Sequence, residues 1–125
     1  MKKVIQHLPD AELEVMQALW RCTPPASRAT IENILRESRP MAATTILTLL
    51  VRLTERGFIE VHKRGRSNYY TPLISKREYL ASQSRRFLNK LCSGDLNSFA
   101  TALCDSGLSK DDIDELRKLL ERGEL

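Results

Sequence analysis

Between Met41 and Gly57 the chain reads MAATTILTLLVRLTERG, and this stretch limits the possible folds more than any other. Ile46, Leu49, Leu50 and Leu53 recur at helical spacing and form one apolar stripe. At about 100° per residue, Thr44, Thr48, Val51, Arg52 and Glu55 point the other way, with Leu47 at the border. Such a helix needs a core on one side and leaves the other for a partner. Gly57 stops it, and Phe58 to His62 then alternates apolar and polar residues as a strand does. Lys63, Arg64, Gly65, Arg66, Ser67 and Asn68 read as a basic turn, and Tyr69 to Leu73 as the returning strand. Two readings fit this stretch alone: a helix that offers its outer face to DNA beside a basic hairpin, and an ordinary core helix beside a charged hairpin.

Upstream, Leu8-Pro9-Asp10 opens a first helix. Proline suits the first helical position, and Asp10, Glu12 and Glu14 suit the positive end of the helix dipole. Leu13, Met16 and Trp20, flanked by Val15 and Leu19, are its expected buried stripe, and Thr23-Pro24-Pro25 ends it. Ser27 is the expected N-cap of a second helix reaching about Glu37, with Ile31, Ile34 and Leu35 inward. Ser38-Arg39-Pro40 then breaks the chain. Three helices and a β-hairpin are the ingredients of a winged helix-turn-helix. The fold class expected is therefore mainly α, with residues 1–74 as the winged-helix domain.

Downstream, Pro72 ends the hairpin, and Ser75 with Glu78 reads as a capping box for a fourth helix to about Cys92. Tyr79, Leu80, Phe87, Leu88 and Leu91 give it an apolar side, and Ser93-Gly94 breaks it. Asp95 starts a short helix carrying Leu96, Phe99, Ala100 and Leu103, which stops near Ser106-Gly107. Ser109, ahead of Asp111 and Asp112, caps a last helix with Ile113, Leu116, Leu119 and Leu120 on one side. Helices this short are marginal alone, and about fifty residues in three amphipathic helices make a poor core by themselves. Residues 75–125 are thus expected to form a helical dimerisation domain through Phe87, Leu91, Leu96, Phe99, Leu103, Ile113, Leu116 and Leu120. The alternative is that these helices fold back on residues 1–74.

Charge placement adds a second constraint. Residues 1–74 carry 11 Lys+Arg against 7 Asp+Glu, whereas residues 75–125 carry 9 of each. Between positions 39 and 77, Arg39, Arg52, Arg56, Lys63, Arg64, Arg66, Lys76 and Arg77 face only Glu55 and Glu60. A localised basic patch suits a polyanion; a solvated basic surface is the plainer alternative. With 42% hydrophobic and 29% charged residues the composition is that of a soluble globular protein. No apolar run approaches the ~18 to 20 residues of a membrane span. The start, MKKVIQHLPD, has lysines but no apolar stretch behind them, so it reads as mature sequence and a cytoplasmic location is expected.

Little in the chain suggests chemistry. His7 and His62 are its histidines, and His62, at a strand end beside Lys63, reads as a solvated or phosphate-facing imidazole. There is no Gly-rich phosphate loop, no Gly-x-Ser-x-Gly and no His-Glu-x-x-His. Cys22, Cys92 and Cys104 are an odd number with no close pair, which argues against a disulfide framework and for reduced thiols. Cys92 and Cys104 stand twelve positions apart, where structural zinc sites separate paired ligands by roughly two to four residues. All three are expected as small buried hydrophobes. The expectation is no catalysis, no metal, no cofactor and no small-molecule substrate.

Ala11 to Met16, Leu19-Trp20, Thr45-Ile46, Thr48-Leu49-Leu50, Arg52-Leu53, Gly57, Gly65-Arg66, Tyr70 and Pro72-Leu73 resemble the penicillinase-repressor family, the BlaI, MecI and CopY group. The likeness continues through Ser75 to Phe87 and into Leu108-Ser109, Ile113, Glu115 and Leu116, and so covers nearly the whole chain. It implies a dimeric winged-helix repressor of bacterial transcription, with an N-terminal DNA-binding domain, a C-terminal dimerisation domain and, among its targets, antibiotic-resistance genes. The chain departs from the family at several points. Members often carry Lys and Gln at the positions of Thr44 and Leu47. The Asn-Phe bond cleaved in antibiotic-responsive members corresponds here to Thr101-Ala102, with Asn97-Ser98-Phe99 nearby. The Cys-x-Cys of copper-responsive members has no counterpart in Leu-Leu-Glu-Arg-Gly-Glu-Leu.

On this reading Thr44, Thr45 and Thr48 offer hydroxyls to phosphates or base edges, and Leu47 and Val51 meet thymine methyls in the major groove. Arg52 reaches a phosphate or a guanine. Arg64 and Arg66 grip the flanking backbone or enter the minor groove. A homodimer would present two such helices to a pseudo-palindromic operator in double-stranded DNA. A winged-helix module that binds protein, or a non-specific architectural DNA binder, uses the same parts.

Overall fold

The computed structural model describes residues 5–123. Residues 1–4, whose lysines bear on the reading of the start as mature sequence, and residues 124–125 lie outside the described residues. The chain divides into two compact units, one ending at Gln83 and the other beginning at Ser84. The first contains α1 (Asp10–Trp20), β1 (Ala26–Ser27), α2 (Arg28–Leu35), α3 (Ala43–Glu55), β2 (Ile59–Arg64), β3 (Ser67–Pro72) and the start of α4 (Lys76–Lys90). The second holds the rest of α4 with α5 (Leu96–Asp105) and α6 (Lys110–Glu121).

The stripe on α3 organises the first unit. Ile46, Leu49, Leu50 and Leu53 are all buried. They share one core with Val15, Met16 and Leu19 of α1, Ile31 and Leu35 of α2, and Phe58, Ile59 and Tyr70 around the hairpin. Full burial of a side chain such as Leu50 or Phe58 contributes about 1.5–3 kcal/mol. That packing, more than propensity, keeps the eight residues of α2 helical. Local signals set the helix starts. The Thr30 N–H donates to Ser27 Oγ at 3.2 Å. The Glu78 N–H donates to Ser75 Oγ while the Ser75 N–H donates to the Glu78 carboxylate, each at 3.0 Å. Ser109 and Asp112 close the same kind of box on α6.

The α1 stripe sits differently from its expected place. Val15, Met16, Ala18 and Leu19 are buried with Glu12, whereas Leu13 and Trp20 are half-buried. Trp20 stays at the rim, where its indole Nε1–H finds the Ile74 carbonyl at 2.9 Å. Pro9 precedes the helix, with ψ of 154°, and does not open it. Helices α2 and α4 stop at Leu35 and Lys90, short of the Glu37 and Cys92 expected.

The sheet has a strand that periodicity does not show. β1 pairs antiparallel with β3 through Ala26↔Tyr70 and Ser27↔Tyr69, giving the order β1-β3-β2. The basic turn is also tighter than expected. The β2–β3 ladder runs to Arg64↔Ser67, so Lys63, Arg64, Ser67 and Asn68 are strand residues and only Gly65-Arg66 turns. Gly65 has φ of 61° and Arg66 does not share the positive sign, the pattern of a II′ hairpin turn, which matches the twist of the flanking strands.

The division of the chain falls inside α4, not at residue 74, because Tyr79 belongs to the first core. Its ring meets Trp20 and Phe58 at centroid distances of 5.9 and 5.8 Å, and its hydroxyl accepts the Leu8 N–H at 2.9 Å. In the second unit Phe87 and Phe99 meet edge to face at 5.5 Å. Neither α5 nor α6 has a fully buried residue. A groove of about 380 Å³ runs between them, lined by Ala100, Leu103, Cys104, Ile113, Leu116 and Leu120. Of the expected buried thiols only Cys92 is buried; Cys22 is half-buried and Cys104 exposed. Cys104 is open because it lines this groove, which α6 leaves uncovered.

Candidate nucleic-acid interface

Helix α3 and the tip of the β2–β3 hairpin carry the eight residues singled out from the sequence. Thr44, Thr45, Leu47, Thr48, Val51, Arg52, Arg64 and Arg66 are all exposed. Burial of the Ile46–Leu53 stripe fixes this arrangement on α3, since a helix that sinks 46, 49, 50 and 53 must present 44, 47, 48 and 51. Leu47 and Val51 are 42% and 59% exposed. These apolar side chains lie on a surface that the unit's own core does not use.

Strand alternation sorts the hairpin in the same way. Ile59 and Tyr70 enter the core, so Glu60, His62 and Arg64 face outward with their cross-strand partners Thr71, Tyr69 and Ser67. The Arg64 guanidinium lies 5.4 Å from the centre of the Tyr69 ring, its diagonal neighbour. The aromatic face steadies the cation without neutralising it. His62 Nε2 and Glu60 Oε1 are 2.7 Å apart, which draws the wing's carboxylate toward the imidazole. Arg66 occupies the turn itself.

One cation of the expected patch belongs elsewhere. Arg56 Nε donates to Glu12 Oε1 at 2.8 Å and its Nη1 to Gln6 Oε1 at 2.9 Å. Glu12 is 2% exposed, and a carboxylate this deep requires a partner. Arg56 is therefore a structural cation, and the patch is smaller by one charge than the sequence count.

The start of α3 is not marked by periodicity. Its N-cap is Ala42, which has no side-chain acceptor to offer, so the first-turn N–H groups beside Thr44 and Thr45 carry no side-chain cap. The positive end of a helix dipole with open N–H groups favours an anion such as a phosphate. The legible signal is the missing Ser, Thr, Asp or Asn at position 42. Two threonines of α3 bond back to their own helix: Thr48 Oγ1 donates to the Thr44 carbonyl at 3.0 Å and Thr54 Oγ1 to the Leu50 carbonyl at 2.8 Å. Among the described residues no three His, Cys, Asp or Glu side chains gather as metal ligands, and no helix is long and apolar enough to cross a membrane.

Three helices around one core, the third bare on its outer face, closed by a small antiparallel sheet with a basic tip, define a winged helix. Residues 8–122 match the Penicillinase repressor family, and the chain belongs to it. It is similar to the penicillinase repressor of Bacillus licheniformis, 37% identical over 122 residues that span 97% of this chain and 94% of that one. It is also similar to the methicillin resistance regulatory protein MecI of Mammaliicoccus sciuri, 32% identical over 116 residues, 92% of this chain and 94% of that one. Among solved structures, Bacillus licheniformis BlaI in its monomeric form in complex with the blaP half-operator shares 37% identity. That likeness has a TM-score of 0.51 and covers 63% of this chain and 94% of that chain.

Proposed function

We propose that the chain is a homodimeric, sequence-specific DNA-binding repressor that occupies a pseudo-palindromic promoter operator and obstructs polymerase. The observation that carries this reading is the division of α3 into a fully buried stripe and an outer face of Thr44, Leu47, Thr48 and Val51 beside exposed Arg52. A helix so exposed matches the width of the major groove, about 12 Å, and Arg64 and Arg66 supply flanking positive charge. Relatives named for penicillinase and methicillin resistance support a target among antibiotic-resistance genes, and the BlaI half-operator complex supports docking through the winged helix. Residues 1–74 bind DNA, with the start of α4 packed into the same core through Tyr79. The later helices join two copies through Phe87, Leu91, Leu96, Phe99, Leu103, Ile113, Leu116 and Leu120. The protein acts in the cytoplasm, without catalysis or cofactor.

A gel shift of genomic promoter fragments by the full chain, at moderate salt and with excess random DNA, tests this function. Retention of a few fragments is expected. Complete loss to random competitor would leave only a non-specific architectural binder, and no shift at all would favour a protein-binding module.

A further inference from the structure

We propose that Thr48 reads DNA as a hydrogen-bond acceptor and so selects an A·T pair, an assignment that rests on the reading of α3 as the groove-binding helix. Thr44, Leu47, Thr48 and Val51 fall at i, i+3, i+4 and i+7 and form one line on the outer face of α3. A threonine hydroxyl has a single proton and two lone pairs. In Thr48 that proton is committed to the Thr44 carbonyl at 3.0 Å, a backbone bond that threonine commonly makes within a helix. What remains outward is the oxygen's accepting side and the γ-methyl.

The major groove narrows the choice of base. Guanine presents only the acceptors N7 and O6 and thymine the acceptor O4, so none of these complements Thr48. Adenine N6 and cytosine N4 present donors. The neighbours decide between them. Leu47 and Val51, 42% and 59% exposed, stand on either side of Thr48 in the line, and their side chains make no hydrogen bonds. Facing a G·C pair, they would strip water from guanine's acceptors and give nothing back. An A·T pair instead sets adenine's amine beside thymine's methyl, matching an acceptor flanked by apolar groups. Thr48 Oγ1 accepts from adenine N6 while Leu47 or Val51 closes on the thymine methyl.

The experiment begins with selection of duplexes from a randomised pool by the full chain. In the enriched site each adenine is replaced in turn by purine, which lacks the N6 amine, and each thymine by deoxyuridine, which lacks the methyl. Wild type, Thr48→Val, Thr48→Ser, Leu47→Ala and Val51→Ala are compared on these probes. One purine replacement per half-site should weaken the wild type about three- to tenfold. It should leave Thr48→Val unaffected, while Thr48→Ser, which keeps the oxygen, retains the sensitivity. Deoxyuridine in the same pair should weaken the wild type about fourfold and have no effect on whichever of Leu47→Ala and Val51→Ala lacks the contacting side chain. The assignment is overturned if no adenine is sensitive, if purine weakens Thr48→Val as much as wild type, or if the base whose recognition disappears in Thr48→Val is a guanine. A pool in which no sequence is enriched would instead remove the DNA-reading function on which the assignment rests.

Discussion

At the scale of single residues, Glu12 carries the largest electrostatic obligation of the first unit. It is buried, and Arg56, 44 positions along the chain, answers it at 2.8 Å from the C-terminal end of α3. Removing the partly exposed Arg56 leaves the buried Glu12 carboxylate without its partner, whereas removing both does not. Arg56→Ala should therefore lower unfolding free energy by about 1–3 kcal/mol, while Glu12→Leu combined with Arg56→Met costs far less. Urea titrations of the three proteins test this, and equal losses would mean that the pair is incidental. Glu12 reads from the sequence as an ordinary first-turn acid, because its partner is distant and only folding reveals that its side of α1 is covered. The thiols make a second test. Burial raises the Cys22 thiol above its ordinary range, with Arg21 opposing, and Cys92 is buried. In the monomer, at concentrations below dimerisation, a small alkylating reagent near neutral pH should label Cys104 first, as mapped by peptide mass, because thiolate fraction and access both set the rate. Early labelling of Cys92 would contradict its place in the core.

Elements are legible in proportion to how local their causes are. The α3 stripe and the caps at Ser27, Ser75, Asp95 and Ser109 lie within a few residues of what they control, and all stand where periodicity and side-chain chemistry put them. β1 escapes because two residues have no period, and their ladder partners are Tyr69 and Tyr70. The pairing of Arg64 with the Tyr69 ring escapes because it depends on hairpin register. At the start of α5, the Ser98 hydroxyl and then the Asn97 N–H hold the Asp95 carboxyl below its usual range. A carboxyl depressed in the folded state adds stability that is complete above the unfolded value, about 4, and is lost as pH falls through the lower folded one. Circular dichroism should show α5 fraying in acid, and Asp95→Asn, which still caps, should lose that component of the pH dependence. In the wing, Arg64→Ala with Arg66→Ala should weaken binding to all sequences alike and reduce the salt slope by roughly one unit for each phosphate no longer neutralised. Leu47→Ala should change base preference and leave that slope alone. An unchanged salt slope in the wing variant would remove the wing from the interface.

For the whole molecule, the question is what covers the apolar side chains that one chain leaves open. Leu91, Leu96 and Leu120 are 75%, 71% and 57% exposed, and the α5–α6 groove is lined by Leu103, Ile113 and Leu116. Periodicity marks these helices and their faces, but the number of copies that share a core is not written in one chain's spacing. The domain boundary is hidden for a related reason. The Ser75–Glu78 box announces a new helix at 75, yet Tyr79 returns to Leu8, Trp20 and Phe58 in the first core. A fragment ending at residue 73 should thus lose about 3 kcal/mol or more, the scale of removing a buried aromatic ring, whereas one ending at Gln83 keeps that ring and its hydrogen bond. The fragment ending at Gln83 should fold as a monomer. The full chain should sediment as a dimer at micromolar concentration and return to a monomer when Leu116→Asp places a charge in the groove. Operator affinity should follow the same division, because a second half-site held by a linked copy strengthens binding on the order of 10² to 10⁴-fold. Both the Gln83 fragment and Leu116→Asp should lose most of that gain while still binding a half-site. If the Gln83 fragment dimerises, or the full chain remains monomeric at these concentrations, the assignment of the later helices to self-association does not stand.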